Sequence, residues 1–303
     1  MRSRLNATEP INEQFIDIVT SDLADVEKTI GDGRKDLADR VRRCRRIFQD
    51  IRAAIHLARF HSGSGFRRED EFFAELVDMV PRSSTTDDMK LLIDTLREPL
   101  TAQLSTGKVT SIRQALHQKP VTFEVSKEEV EERLAEVEGR LPEARQRISE
   151  WELEDRGFKS LSKGFRGTYA DGRKELEPAF ESGEPENVQQ FRDLAAHHAH
   201  HIVLLSEAWP ELLEPRAQFV RRMTEGLESL ESIPALKETV RRNPRWFGSS
   251  RDRRVLEDFL ENEARPFILD RAHAYARRIY AEPAVNITKR IESYWQILVA
   301  ESR

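Results

Sequence analysis

Apolar residues recur along this chain at alternating spacings of three and four. The clearest run is Leu37, Val41, Cys44, Phe48, Ile51, Ile55 and Ala58, one buried stripe of an α-helix. A similar stripe at Phe15, Ile18, Val19, Leu23, Val26 and Ile30 predicts a helix within residues 1–30. Phe72, Phe73, Leu76 and Val80 predict one over 66–80, and the pattern resumes over 87–104. Residues 106–120 read as a mixed connector, and 123–155 as a long acidic helix that Pro142 kinks or splits. Further helices are expected before residue 182 and over 188–209, 215–230, 234–242 and 251–276, with a last one from Pro283 to near Val299. No run alternates in the two-residue period of a strand, so the predicted class is all-α. GDG at 31–33, HSGSG at 61–65 and SGEPEN at 182–187 punctuate the pattern.

Charge changes this picture at one place. Arg42, Arg45, Gln49, Arg52, His56 and Arg59 form a stripe one residue behind the apolar one, about 100° around the helix. A basic stripe so placed flanks the core and lines the groove toward a neighbouring helix. Between Arg34 and Arg59 nine Lys/Arg face three Asp/Glu, 9 − 3 = +6, in a chain whose net charge is −5. Two readings are open: an anion-binding groove, or a charge-laced face neutralised by neighbouring acids. From Val121 to Asp155 the balance reverses, with five Lys/Arg against twelve Asp/Glu, 5 − 12 = −7. Those carboxylates read as a solvated face.

The 303 residues are enough for two domains and a sizeable core. Thirteen glycines and thirteen prolines are few for this length and favour long helices. Cys44, the single cysteine, excludes an internal disulfide and lies on the core stripe, as a small hydrophobe would. No apolar run has the ~20 residues of a membrane span, and the first fifteen residues lack the apolar centre of a signal peptide. The expectation is a soluble cytoplasmic protein that does not associate with membranes. At net −5 it has no general affinity for nucleic acid, so sequence-specific nucleic-acid binding is not expected.

The second half repeats the first in outline, five to six helices each. Several segments in it have a recognisable order. Gly164-Phe-Arg-Gly-Thr-Tyr169-Ala-Asp-Gly172-Arg173-Lys174 precedes the SGEPEN turn, and Leu204-Leu-Ser-Glu-Ala-Trp209-Pro210 ends the helix after it. Arg277-Arg-Ile-Tyr-Ala-Glu-Pro283 leads to Tyr294-Trp295, and in the first half Phe66-Arg-Arg-Glu-Asp70 opens the third element. In order and spacing these resemble the conserved-histidine α-helical domain (CHAD) family over nearly the whole chain. The resemblance implies two pseudo-symmetric antiparallel helical bundles, residues 1–118 and 119–303, around a central basic groove. It also implies non-enzymatic binding of inorganic polyphosphate there, and a place at polyphosphate granules.

The family's signature is a His-x-x-Arg-Lys-x-x-Lys-x-x-Arg helix in each half. Here the first-half positions fall on Arg42, Arg45-Arg46, Gln49 and Arg52. In the second half the His position is Gln189, Arg192 is retained, and the two Lys positions are Asp193 and Ala196. Both name-giving histidines are therefore replaced, and Ala170 and Asp171 stand where the family has two arginines after the tyrosine. Arg forks pair phosphate oxygens and Lys supplies a point charge, so a helical row of cations suits a linear polyanion. The candidate polyphosphate contacts are Arg42, Arg45, Arg46, Arg52 and Arg59 on one wall. Lys163, Arg166, Arg173, Lys174 and Arg192, with Lys159, form a weaker second wall. The alternative is a degenerate CHAD-fold scaffold that has lost polyphosphate and holds an acidic protein partner.

No Gly-rich phosphate loop or Gly-x-Ser-x-Gly elbow appears, so neither enzymatic activity nor a cofactor is expected. His197, His198, His200 and His201 cluster on one helix. They read as a solvated or partly buried polar patch, as a pH-sensitive phosphate contact, or as a zinc site from the i, i+4 pair His197 and His201. Without a nearby Cys or a His-Glu-x-x-His arrangement, no metal is assigned.

Overall fold

The structure, a computed structural model, describes residues 4–58, 65–81, 83–84, 86–116, 122–123, 126–151, 153 and 157–302. Arg59, the turn at 61–64 and the expected boundary at 118 lie outside them. Among the described residues the chain is all-α, as the periodicity predicts. Its helices are α1 (Ile11–Gly31), α2 (Leu37–Ala58), α3 (Gly65–Met79), α4 (Thr86–Thr95), α5 (Arg97–Gln103), α6 (Thr106–Ala115) and α7 (Lys127–Ser149). There follow α8 (Phe158–Ser182), α9 (Pro185–Leu204), α10 (Pro210–Glu228), α11 (Ile233–Arg242), α12 (Ser250–Asn262), α13 (Ala264–Ile279) and α14 (Ala284–Glu301). Two short strands, β1 (Ser83–Ser84) and β2 (Thr122–Phe123), pair antiparallel with Ser83 opposite Phe123.

Proline explains two departures from the predicted elements. The segment 87–104 divides at Leu96 into α4 and α5, and 251–276 divides at Glu263 into α12 and α13. Pro99 and Pro266 stand in the first turns after the breaks and have no N–H for the carbonyls of Thr95 and Asn262, four residues earlier. The freed Thr95 carbonyl accepts a long hydrogen bond from Arg271 Nη1 (3.4 Å). Pro142 behaves otherwise, since α7 runs through it without interruption. Part of the expected connector, 106–115, is helix α6. Its first turn is capped by the Ser105 side chain, which accepts from the Lys108 N–H, and Val109 and Ile112 are buried. Packing of those two side chains outweighs the weak local propensity of a Thr/Gly/Ser-rich segment.

Two hydrophobic cores result. The larger is enclosed by α1, α2, α3, α7, α8, α9, α10, the later part of α13 and α14, with Phe15, Phe48, Phe73, Phe165, Tyr169 and Phe191 fully buried. The smaller lies among α4, α5, α6, α11, α12 and the start of α13, around Phe247 and Phe259. Each core takes helices from both sides of the segment 117–121. Each fully buried large apolar side chain contributes roughly 1.5–3 kcal/mol relative to exposure.

Within the larger core α2 packs on both α8 and α9. It approaches α8 closely at Gly164, where an added Cβ would lie 1.8 Å from the Leu57 carbonyl oxygen. Only hydrogen fits there, because the obstruction is backbone. At the other end of α2, Arg40 is buried. Its guanidinium donates to both Glu131 carboxylate oxygens on α7 (2.8 and 3.0 Å) and to the Ile30 carbonyl near the end of α1 (2.7 Å).

Gly164→Ala is expected to lower unfolding stability in urea by about 3 kcal/mol or more, as backbone overlap forces α8 off α2. Gly139→Ala, on the exposed side of α7 with nothing near its Cβ position, should instead raise stability by about 1 kcal/mol.

Candidate functional site

Two cations of the predicted α2 row, Arg45 and Arg52, are engaged inside the protein. Arg45 donates through Nη1 to the carbonyls of Val77 (2.9 Å) and Val80 (2.5 Å), satisfying the C-terminal end of α3. Arg52 Nε donates to Asp70 Oδ1 on α3 (2.9 Å). Arg42 is partly exposed and has loose ion pairs with Asp39 (3.5 Å) and Asp87 (3.9 Å). Outside the row, Arg43 pairs Asp25 at 3.1 Å. Arg46 is exposed and has no ion-pair partner among the described residues. Neighbouring carboxylates and helix-end carbonyls thus claim much of the basic stripe.

The α8 row is arranged differently. Lys159, Lys163, Arg166 and Arg173 are all exposed and, among the described residues, have no carboxylate partner. At offsets of 4, 7 and 14 residues they stay within a narrow arc of the helix and span about 21 Å of its axis. Exposed Ala170 leaves a gap in the row. Lys174 lies beside it and pairs Glu175 at 3.1 Å. Arg192, on α9, is mostly buried and paired to Glu231 (2.6 Å) and Asp193 (3.2 Å). Burial opposes its charge, but Asp193, Glu231 and Glu228 outweigh that and raise its pKa.

Helices α2, α3 and α9 enclose a cleft of about 430 Å³. Arg52 and His56 line it from α2 and Asp70 from α3. Glu186, Gln189, Gln190, Asp193, Leu194 and His197 line it from α9. Two signature positions, Gln189 and Asp193, therefore do reach a cavity with the α2 row, but its lining holds three carboxylates and one guanidinium. Asp70 joins that guanidinium to an imidazole: its Oδ1 is also 3.2 Å from His56 Nε2, though without hydrogen-bond alignment. Burial alone would raise the Asp70 carboxyl; His56 and Arg52 outweigh it and hold its pKa at about 2.

The four α9 histidines are buried, at 6%, 0%, 7% and 0% exposure for His197, His198, His200 and His201. This corrects the expectation of a solvated or partly buried patch. Helix α9 packs against α2, α8 and α10, and these cover the four rings even though Ala196 beside them is exposed. The His201 Nε2–H donates to the Ala53 carbonyl of α2 (2.6 Å), which assigns the proton to that nitrogen. His200 Nδ1 lies 3.0 Å from Asp50 Oδ1. His197 stacks near His56, ring centroids 4.5 Å apart. His198 lies among Phe165, Tyr169 and Tyr280, with neither nitrogen hydrogen-bonded. Burial pushes His197 and His201 well below the ordinary histidine pKa and His198, with the Arg216 charge added, to about 3. All three rings are neutral at pH 7. Among the described residues no group of three His, Cys, Asp or Glu side chains is placed to hold a metal ion. Buried Cys44 has its thiol pushed up to about 12 by desolvation, so it is not a nucleophile. No helix among the described residues is long and apolar enough to cross a membrane.

Comparison of the chain with family models, with curated proteins and with solved structures gives no match. Sequence reasoning missed Asp70, Glu186 and Gln190 as parts of a shared site. The only signal for Asp70 was its place in the Phe-Arg-Arg-Glu-Asp segment. Nothing local distinguishes Glu186 or Gln190 from other polar residues at a helix start.

The buried imidazoles predict acid sensitivity. The unfolded chain takes up protons at these histidines from about pH 6.5 downward, whereas the fold resists until much lower pH. Stability is thus full above about pH 6.5 and falls toward pH 3, by up to about 1.4 kcal/mol per pH unit for each ring held neutral. Asp70 adds a further loss below about pH 4. Urea titrations at pH 7.5, 6 and 5 should show the decline, and His198→Leu should make it shallower.

Proposed function

We propose that this chain is a non-enzymatic polyanion-binding module of CHAD type, with inorganic polyphosphate as its ligand. The pseudo-symmetric pair of helical bundles and the basic groove that the sequence resemblance implies are part of this proposal. The observation that carries this reading is the α8 row: Lys159, Lys163, Arg166 and Arg173, exposed and without carboxylate partners among the described residues. Exposed Arg46 and partly exposed Arg42 extend the cationic surface on α2. Arg45 and Arg52 hold α3 in place, so they position the site more than they touch the ligand. The weight of the contact therefore moves from the first-half arginines to the second-half lysines and arginines.

A second reading is supported by the internal pairing of Arg40, Arg43, Arg45 and Arg52. In it the fold has outlived its polyphosphate site and the α8 row receives an acidic protein surface.

Long-chain polyphosphate titrated into the purified protein tests the choice. Four or five phosphate contacts give log K falling with log salt at a slope of about −3. Lys163→Glu with Arg166→Glu, both exposed, should weaken binding at least tenfold and leave the circular dichroism unchanged. Arg45→Glu is a poor probe because it strips the α3 terminus of its donor. Absence of binding at low ionic strength would overturn the polyphosphate reading and favour a protein partner.

A further inference from the structure

Among the described residues the only guanidinium or ammonium lining the α2–α3–α9 cleft, that of Arg52, is already held by Asp70, with His56 beside them. What the cleft offers a ligand is therefore mainly acceptors. Glu186, Gln189 and Gln190 are exposed and have no partners among the described residues. Deeper in, His197 is 6% exposed, and its Nδ1 is buried with no hydrogen bond. A polar atom left unpaired in a lined cavity is costly unless something occupies the space. The start of α9 would by its dipole attract an anion, but Glu186 already supplies that charge, and Asp193, which Arg192 engages through Oδ1 at 3.2 Å, keeps Oδ2 as a further acceptor. A phosphate entering the cleft meets these carboxylates first.

We infer that this cleft is a binding site for an organic cation, an aliphatic di- or polyamine. Ammonium groups bring donors and no acceptors, the complement of carboxylates, amide oxygens and an imidazole lone pair. Glu186 and Asp193 are seven residues apart on α9, about 10.5 Å along the axis. An ammonium at each end of a chain of that length reaches both. The apolar methylenes between pack on Leu194, beside His197. His197 is neutral because it is buried, so it does not repel the cation. This site is separate from the α8 row, and either assignment can fail without the other.

Spermidine is the probe, titrated calorimetrically into the full-length protein at low ionic strength. One saturable site is expected, with the His197 ring resonances shifting in step. Glu186→Gln with Asp193→Asn, both accessible to solvent, should weaken binding at least tenfold and leave polyphosphate affinity equal or higher. The pair Glu132→Gln with Glu136→Gln on the exposed face of α7 is the control and should change nothing. Equal weakening by the control pair would show diffuse attraction to an acidic protein and overturn the site. So would no saturable binding, or zinc binding in the cleft with spermidine excluded.

Discussion

The approach of α2 to α8 at Gly164, and the buried imidazole layer beside it, hold the larger core together. Helix α2 carries six arginines and still lies in the interior of the protein, packed against α3, α8 and α9. That is possible because its charges have been given partners at each edge. Arg40 clamps α1 and α7, Arg45 satisfies the end of α3, and Arg52 meets Asp70. On the α8 side the backbones touch so closely that only glycine fits. On the α9 side neutral histidines fill the joint, and one of them hydrogen-bonds directly to an α2 carbonyl. Lysine could not replace those arginines one for one, since a bidentate contact to Glu131 and a carbonyl needs the planar fork.

This construction separates structural from available charge. A guanidinium already matched to a carboxylate or to helix-end carbonyls has little left to offer an anion, however basic the sequence looks. The cations on α8 are on the outer side of a helix whose inner side carries Phe158, Leu161, Phe165 and Tyr169. The sequence does put Asp155 and Glu177 four residues from Lys159 and Arg173, but Glu177 pairs His273 at 3.1 Å instead, and the fold brings no carboxylate to the row among the described residues. The cleft and the α8 row thus have opposite characters, acceptors in one and donors on the other. One protein of net charge −5 can present both because charge is local at the scale of a Debye length, about 8–10 Å.

The histidines carry a related lesson. Four within five positions on one helix suggest a metal site or a wet patch. Burial makes His197, His198 and His201 a neutral filling of the core, large, flat and able, at His201, to hydrogen-bond a backbone carbonyl. They resemble aromatic packing residues more than ligands at neutral pH, as the ring contacts of His198 with Phe165, Tyr169 and Tyr280 show. Such a layer is stable only while it stays uncharged.

Helical class, the stripes of α1, α2 and α3, and the burial of Cys44 were all legible from spacing, because a 3.6-residue period leaves a direct mark on the order of apolar residues. The breaks at Leu96 and Glu263 were legible in principle from Pro99 and Pro266, each four residues past the carbonyl it cannot serve. Local sequence could not tell which arginines were taken. Asp70 is eighteen residues from Arg52, Glu131 is ninety-one from Arg40, and Asp50 is one hundred and fifty from His200. Only tertiary packing brings those pairs together. Whether a charged or imidazole side chain serves the fold or a ligand depends on which distant partner arrives first at hydrogen-bond range, and periodicity along one helix contains no information about that.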